Sequence, residues 1–321
     1  MNKPLAIIAG EPNSIASEII FKSWMLKKSF KHKPIIVIGS YHLLNMQKKK
    51  LNYQIKMKEI NSNFKLKNIN KNELLVYNVS YRQKKPFQEI STKSNSYIFK
   101  CFHVAFKLIK NKKIIGFINC PVSKEHLLKK KYEGITEFLS KNSGVKGNEV
   151  MLIYNKKLSV SPLTTHIPLK KVAKKIDKFK IYKNIKIINN FYKKKLRKKP
   201  KIAVLGLNPH NYSPELNSEE KRIIYPAVKK AKSMGFKVVG PVSPDTSFLA
   251  FNEQKFDVIL GMYHDQVLTP FKTLFKYSAI NITLGLPYTR ISPDHGVAKN
   301  IIGKGKANPA SLIESIKFFN N

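Results

Sequence analysis

The sequence predicts an α/β protein whose parallel sheets are flanked by helices, and three observations carry that expectation. Apolar runs of strand length recur at 5–9, 34–39, 114–119, 200–205, 236–239, 257–262 and 279–284, with helical stretches between most of them. That alternation is the signature of βαβ units. Within the runs the apolar residues are largely consecutive rather than alternate, as in strands buried on both faces. Several runs also stop at clusters of His, Asp, Lys and Arg, and ligand groups in open α/β sheets collect at the carboxyl ends of strands.

The elements follow in order. Residues 5–9 form a first strand, and Gly10-Glu11-Pro12-Asn13-Ser14 turns the chain into a helix from about Ile15, with Ser14 as N-cap and Glu18 in the first turns. A strand at 34–39 and a helix near 41–49 come next. Residues 50–85 are rich in lysine and asparagine with weak periodicity and support no assignment. Residues 91–111 have helical spacing, with Ile98, Cys101, Phe102, Ala105 and Leu108 on one face. The strand at 114–119 ends in Cys120-Pro121-Val122-Ser123-Lys124, and Gly134-Ile135-Thr136-Glu137 opens another helix. Residues 150–154 and 158–163 read as a hairpin around Asn155-Lys156-Lys157. One or two amphipathic helices cover 170–196, a helix at 219–234 stops at Gly235, and a last helix spans 309–319.

At 321 residues the chain can form two ordinary domains, or one large one, around a full apolar core. No apolar run approaches the roughly 20 residues of a membrane span, so no membrane association is expected. The N-terminal apolar stretch is too short for a signal peptide. Cys101 and Cys120 share no metal-type spacing, which fits a reduced, cytoplasmic setting. The formal charge of +41 raises the question of nucleic acid. The excess, however, is almost all lysine: Arg82, Arg197, Arg222 and Arg290 are the four arginines among 60 basic residues. Nucleic-acid readers favour arginine for its planar fork and its stacking. Lysines spread over the whole chain read as solvated faces and as the coding bias of an AT-rich genome. No specific nucleic-acid partner is expected, while weak steering of anionic substrates is.

Three histidines, His166, His210 and His264, each lie at or just past a predicted strand end. A single histidine is more often a structural hydrogen-bonder than a ligand. Three in equivalent places of one architecture point instead to a divalent metal, with coordination positions left open for substrate. Asp245 and Asp265 sit close to these motifs, as orienters of a histidine or as relays for a proton. Lys124, just past a strand end, is either a solvent-facing helix starter or a catalytic cation. No GxGxxG follows the first strand, so no Rossmann cofactor site is signalled.

The segments TTHIPL, GLNPH, MYHDQ, NITLGLP and SPDHG, with NCPVSK and PDTSF, together resemble the 4-hydroxythreonine-4-phosphate dehydrogenase family of pyridoxal phosphate biosynthesis. The resemblance runs nearly end to end and is densest over 164–309. It implies two α/β/α domains with a cleft between them, here 1–130 plus 290–321 and 131–289, in the fold of isocitrate and isopropylmalate dehydrogenases. It implies a homodimer with shared active sites and a small phosphorylated substrate. It also implies one divalent metal, zinc first and magnesium, manganese or cobalt after it, on His166, His210 and His264. Substrate contacts carried over by position are Thr136, Lys272, Asn281 and Arg290. The catalytic candidates are Asp245, Asp265 and Lys124. The reaction implied is oxidation of a secondary alcohol by NAD or NADP, giving a β-keto acid that loses CO₂. A second resemblance, of DHGVAKNIIGKGKANP to the loop that takes the adenosine end of NAD in the wider dehydrogenase fold, selects His295, Gly296, Ala298 and Asn308.

Three departures bear on substrate identity. The family's opening GDPxGIGPE is GEPNSIASE here, its GHTE is Gly134-Ile135-Thr136-Glu137, and the segment after His210 differs and is one residue shorter. Related dehydrogenases acting on a phosphorylated threonate or a dihydrodiol share much of the motif set. A competing class, a lysine-rich nucleic-acid-binding protein on a decayed enzyme fold, would be expected to have lost metal ligands, and all three histidines are present.

Overall fold

A computed structural model describes residues 3–64, 72–128, 134–211, 217–276 and 278–320. The chain divides into two compact units, Met1–Ile135 with Pro287–Asn321, and Thr136–Leu286. Among the described residues no helix is long and apolar enough to cross a membrane.

The first unit opens with β1 (Leu5–Ile8), α1 (Ala16–Met25), β2 (Ile35–Gly39), α2 (Tyr41–Lys50), β3 (Met57–Ile60), β4 (Leu74–Asn78), α3 (Asn95–Lys110), β5 (Gly116–Asn119) and α4 (Lys124–Leu128). The chain enters the second unit through α5 (Ile135–Asn142). There it forms β6 (Val150–Tyr154), β7 (Ser159–Pro162), α6 (Val172–Lys175), α7 (Lys178–Phe191), β8 (Ile202–Leu205), α8 (Tyr225–Ser233), β9 (Val238–Val242), α9 (Pro244–Ser247), β10 (Val258–Gly261), α10 (His264–Phe275) and β11 (Ile280–Leu284). It returns to the first unit for β12 (Thr289–Pro293) and α11 (Ala310–Phe318).

In the first unit the strands lie in the order β3-β4-β2-β1-β5-β12, and every pair is parallel. The consecutive apolar residues of β1 and β2 are all buried, which explains their unbroken runs. Helix α3 buries Ile98, Cys101, Phe102, Ala105 and Leu108, the face its spacing defines. Each large aliphatic or phenyl side chain so buried contributes about 1.5–3 kcal/mol. In the second unit β11 and β6 pair antiparallel, as do β6 and β7, the predicted hairpin. Beyond it β7, β10, β8 and β9 are parallel neighbours. Ile153, Val160, Leu205, Ile259, Val267 and Phe271 form part of the core beneath them.

Three local expectations differ from what is observed. Residues 50–85 contain β3 and β4. Strand β3 is the sheet edge, and its sequence MKEI is half exposed, so its apolar pattern is diluted. Helix α1 begins at Ala16 with Ile15 in the cap position. Ser14 acts one step earlier, its hydroxyl accepting the Ala16 N–H at 3.1 Å and donating to Glu11 O at 2.7 Å. Residues 289–293, given no element in the sequence reading, form strand β12. Its register opposite β5, Arg290 against Phe117, leaves Arg290 buried.

Candidate active site

Four neighbouring parallel strands of the second unit each end in a chemically equipped residue. The chain leaves β7 toward His166, β10 toward His264 and Asp265, β8 toward His210, and β9 toward Asp245. Backbone bonds hold the strand ends in step: Leu163 N–H donates to Gly261 O at 2.7 Å, and Gly206 N–H donates to Val242 O at 3.0 Å. Side chains continue the stitching. The Thr164 hydroxyl donates to Met262 O at 2.7 Å, tying the approach to His166 to that of His264. Gln266 accepts from Met262 N–H at 2.7 Å and donates to Gly206 O at 2.8 Å.

The loop after β8 is organised by Glu220. Its Oε1 accepts the N–H groups of Leu207 at 2.8 Å and Asn208 at 2.9 Å, and its Oε2 takes the Asn208 side-chain amide at 3.0 Å. Burial works against the Glu220 charge, but these donors outweigh it and hold its pKa below the usual carboxylate range. The chain then takes left-handed backbone at His210 (φ 54°) and Asn211 (φ 56°). A Cβ on Gly206 would lie 2.0 Å from Asn211 Oδ1, so a larger residue there requires the Asn211 side chain to move.

The donor set suits a divalent ion, and its arrangement is part-gathered. The rings of His166 and His264 have centroids 5.9 Å apart, with planes at 41°, a separation that two imidazoles on one ion can span. His210 stands on its own carboxylate, Nδ1 lying 3.2 Å from Asp245 Oδ2, and 76% of its side chain is exposed. His264 Nδ1 likewise meets Asp265 Oδ1 at 2.7 Å. Among the described residues no three His, Cys, Asp or Glu side chains are grouped closely enough to hold a metal. Asp245 Oδ1 accepts the Ser243 hydroxyl at 2.7 Å and the Thr246 N–H at 3.0 Å. The Ser243 bond, with His210 nearby, holds the Asp245 carboxyl below its ordinary pKa despite some desolvation.

On β11, Asn281 and Thr283 are two residues apart and share one face of the strand. Thr283 Oγ1 lies 3.5 Å from Thr136 Oγ1 in the first turn of α5. The buried Asn281 Oδ1 has no hydrogen-bond partner among the described residues. Lys272 is exposed on α10. Thr136, Asn281 and Thr283 therefore form one polar patch. Thr283 carried no role in the sequence reading, although its i+2 spacing from Asn281 was the signal available.

The first unit holds the other candidates. Lys124 is exposed at the start of α4. Arg290 is 3% exposed and its Nε donates to Asn119 Oδ1 at 2.6 Å. The loop after β12 contains His295, whose two ring nitrogens are buried without a side-chain hydrogen-bond partner among the described residues. Burial pushes the His295 pKa down, against the opposing effect of the backbone at Gly296 and His295. Gly296 is exposed, Ala298 takes left-handed backbone (φ 49°), and Asn308 Oδ1 accepts the Ala310 N–H at 2.9 Å. Two unforeseen residues pin this loop to α1. Glu18 Oε1 accepts the Ala307 N–H, and Lys22 Nζ donates to Gly305 O at 2.8 Å and Ala307 O at 2.7 Å. Orphaned imidazole nitrogens in a loop held this way suit a polar ligand such as a dinucleotide.

The family described as pyridoxal phosphate biosynthetic protein PdxA matches residues 31–319. A 4-hydroxythreonine-4-phosphate dehydrogenase of Sulfurihydrogenibium sp. (strain YO3AOP1) is 38% identical over 317 residues, 98% of this chain and 96% of the relative. A D-threonate 4-phosphate dehydrogenase of Salmonella typhimurium is 32% identical over 321 residues, 98% of this chain and 97% of the relative. The crystal structure of a 4-hydroxythreonine-4-phosphate dehydrogenase from Klebsiella pneumoniae superposes with a TM-score of 0.85 at 30% identity, covering 99% of each chain. At the level of fold alone, likeness reaches a beta-decarboxylating dehydrogenase from Thermococcus kodakarensis, with TM-score 0.50 and 13% identity over 99% of this chain and 84% of the other.

Proposed function

The chain belongs to the pyridoxal phosphate biosynthetic protein PdxA family, and from that premise we propose the reaction of this dehydrogenase in detail. The substrate is 4-phosphohydroxy-L-threonine, oxidised and decarboxylated to 3-amino-2-oxopropyl phosphate with NAD or NADP as hydride acceptor. The observation that carries this reading is the set of four adjacent parallel strands that end at His166, His264, His210 and Asp245.

His166, His210 and His264 are the residues that would hold a divalent ion, zinc ahead of magnesium, manganese or cobalt. When bound, such an ion lowers the pKa of a coordinated hydroxyl and stabilises the negative charge that develops during decarboxylation. The remaining work falls to the chain. Asp245 and Asp265 fix the Nδ1 edges of His210 and His264, which leaves each Nε2 as the donor atom. Asp245, in contact with His210, is also a carboxylate that could take up the hydroxyl proton at an oxygen, although its Ser243 bond, which lowers its pKa, makes it a weaker base. Lys272, Asn281 and Thr136 supply cation, amide and hydroxyl for the substrate's phosphate and polar groups. Asn119 fixes the Nε edge of Arg290, an orientation that suits a planar grip on phosphate. Lys124 is the alternative proton donor or acceptor. His295, Gly296, Ala298 and Asn308 would take the adenosine end of the dinucleotide. The same reading carries a cytoplasmic homodimer with shared sites, which sedimentation of the purified chain would detect.

A second reading, oxidation of D-threonate 4-phosphate, is favoured by the Salmonella relative, and Ile135, buried where the family carries histidine, leaves the substrate side open to it. The test of the reaction class is product stoichiometry. With 4-phosphohydroxy-L-threonine, dinucleotide and added metal, reduced nicotinamide and CO₂ should form in equal amounts. Reduced nicotinamide without CO₂, or turnover unaffected when His264→Ala removes a donor, would contradict it.

A further inference from the structure

The opening segment GEPNSIASE, one of the places where the chain departs from its family, is tied to a second loop of the first unit, residues 83–89. The buried Asn13 makes one tie. Its Oδ1 accepts the side-chain amide of Gln83 at 3.0 Å and the backbone N–H of Gln88 at 2.8 Å. The buried Gln47 makes the other, donating through Nε2 to Pro12 O at 2.8 Å and to Pro86 O at 2.9 Å. Pro86 and Gln88 are therefore both fixed, and Phe87 stands between them. Its half-buried ring lies against Gly303, where a Cβ would come within 2.9 Å of Phe87 Cδ2 and 3.2 Å of Cε2. Gly303 has left-handed backbone (φ 68°) and belongs to the candidate dinucleotide loop. That loop also meets the opening segment through the Ile15 N–H, which donates to Val297 O at 3.4 Å, and meets α1 through Glu18 and Lys22.

We infer that Phe87 is a positioning residue for dinucleotide binding: held in place by Asn13 and Gln47, its ring sets the Gly303 turn of the loop that takes the adenosine end. The inference rests on the dinucleotide reading proposed above. Glycine enters left- and right-handed backbone about equally readily, so the turn at Gly303 is decided by what packs against it. A loop ordered before the ligand arrives spares the binding step the cost of ordering it. Phe87 supplies that order at Gly303, as Glu18 and Lys22 do at Gly305 and Ala307. The clamp is chemically specific, because Asn13 Oδ1 serves two donors at once and an alanine would leave the Gln88 N–H without its acceptor. The ring contact is apolar and asks only for an aromatic of the same shape, so tyrosine should serve in place of Phe87. A residue that merely supported the fold would change stability and leave the affinity of the folded protein alone.

The experiment is calorimetric titration of the purified full chain with NAD and with ADP, which carries the adenosine half alone. It compares the unaltered chain with Asn13→Ala, Phe87→Ala, Phe87→Tyr and Gly296→Glu. Phe106→Ala, a half-buried ring on α3, gives the effect of lost stability alone. Gly296→Glu sets a negative charge in an exposed part of the loop and should weaken both ligands by repelling their phosphates. The expected result is that Asn13→Ala and Phe87→Ala weaken both ligands by about tenfold. Phe87→Tyr and Phe106→Ala should keep the unaltered affinity. If Phe87→Ala does not fold, Asn13→Ala and Phe87→Tyr carry the same comparison. Binding that Gly296→Glu weakens but Asn13→Ala and Phe87→Ala leave unchanged overturns the inference and leaves the dinucleotide reading standing. An equal loss in Phe106→Ala, or a full loss in Phe87→Tyr, overturns it as well. Binding that is absent, or indifferent to Gly296→Glu, removes the dinucleotide reading of this loop and the inference with it.

Discussion

Glu18 on α1 accepts a hydrogen bond from the backbone N–H of Ala307 at 2.6 Å, across 289 positions of sequence. The same carboxylate pairs with Lys22 at 2.9 Å, and Lys22 donates to the carbonyls of Gly305 and Ala307. Two residues one helical turn apart thus fix the backbone of the candidate dinucleotide loop. Hydrogen bonds involving a charged group contribute about 1.5–3 kcal/mol each. The double change Glu18→Gln with Lys22→Met should therefore weaken dinucleotide binding by roughly tenfold, equivalent to about 1.4 kcal/mol. A fluorescence titration with NAD and NADP checks this. Unchanged affinity for both would place the dinucleotide elsewhere.

His295 predicts a pH signature. Burial holds its folded pKa below the ordinary 6.5, so in acid the unfolded chain binds a proton that the folded chain resists. Its contribution to stability is complete above the unfolded value and is lost as pH falls toward the lowered folded value. His295→Gln should accordingly flatten the decline in stability from about pH 7 downward. Urea midpoints across that range measure it, and curves of identical slope for the two proteins would contradict it.

Arg290→Lys separates a structural from a substrate role. Lysine keeps the charge, but it has no Nε–H to meet Asn119 Oδ1, and the site is buried. A loss of about 1–3 kcal/mol in stability is expected, with a coupling to Asn119→Ala in a double-mutant cycle. If Arg290 also grips the substrate phosphate, KM rises while dinucleotide affinity is unchanged. A stability loss with unaltered KM would confine Arg290 to the sheet.

Ile135 is 6% exposed at the start of α5. Introducing histidine there would desolvate a polar ring, so Ile135→His should destabilise the chain by about 1–3 kcal/mol. Denaturant unfolding measures this. A gain in kcat/KM on 4-phosphohydroxy-L-threonine without that loss would show that the position faces substrate.

The strands were most legible in the sequence where burial is two-sided, as in β1, β2 and β10, since every position must then be apolar. Strand β3 escaped because an edge needs only half its residues buried and here carries Lys58 and Glu59. Strand β12 escaped because Thr289, Arg290 and Ser292 interrupt its apolar pattern, although β5 supplies Asn119 as a partner for the arginine. In the site, His166, His210, His264, Asp245 and Asp265 were visible as residue types at strand ends. Their supports were not. Gln266, Glu220 and Thr164 act through contacts made 10 to 100 residues away or to backbone atoms, which no local pattern encodes. His210 pairs with Asp245 from left-handed backbone, which its sequence neighbours do not announce.

Substrate choice is measured by comparing kcat/KM for 4-phosphohydroxy-L-threonine and D-threonate 4-phosphate. Both assays use the purified chain with a divalent metal and saturating dinucleotide, read by absorbance of the reduced nicotinamide. The expected result is turnover of both or of the first alone, with 4-phosphohydroxy-L-threonine preferred by about tenfold or more, a difference of about 1.4 kcal/mol in transition-state binding. A preference of that size for D-threonate 4-phosphate, or no reduced nicotinamide from either, would contradict it.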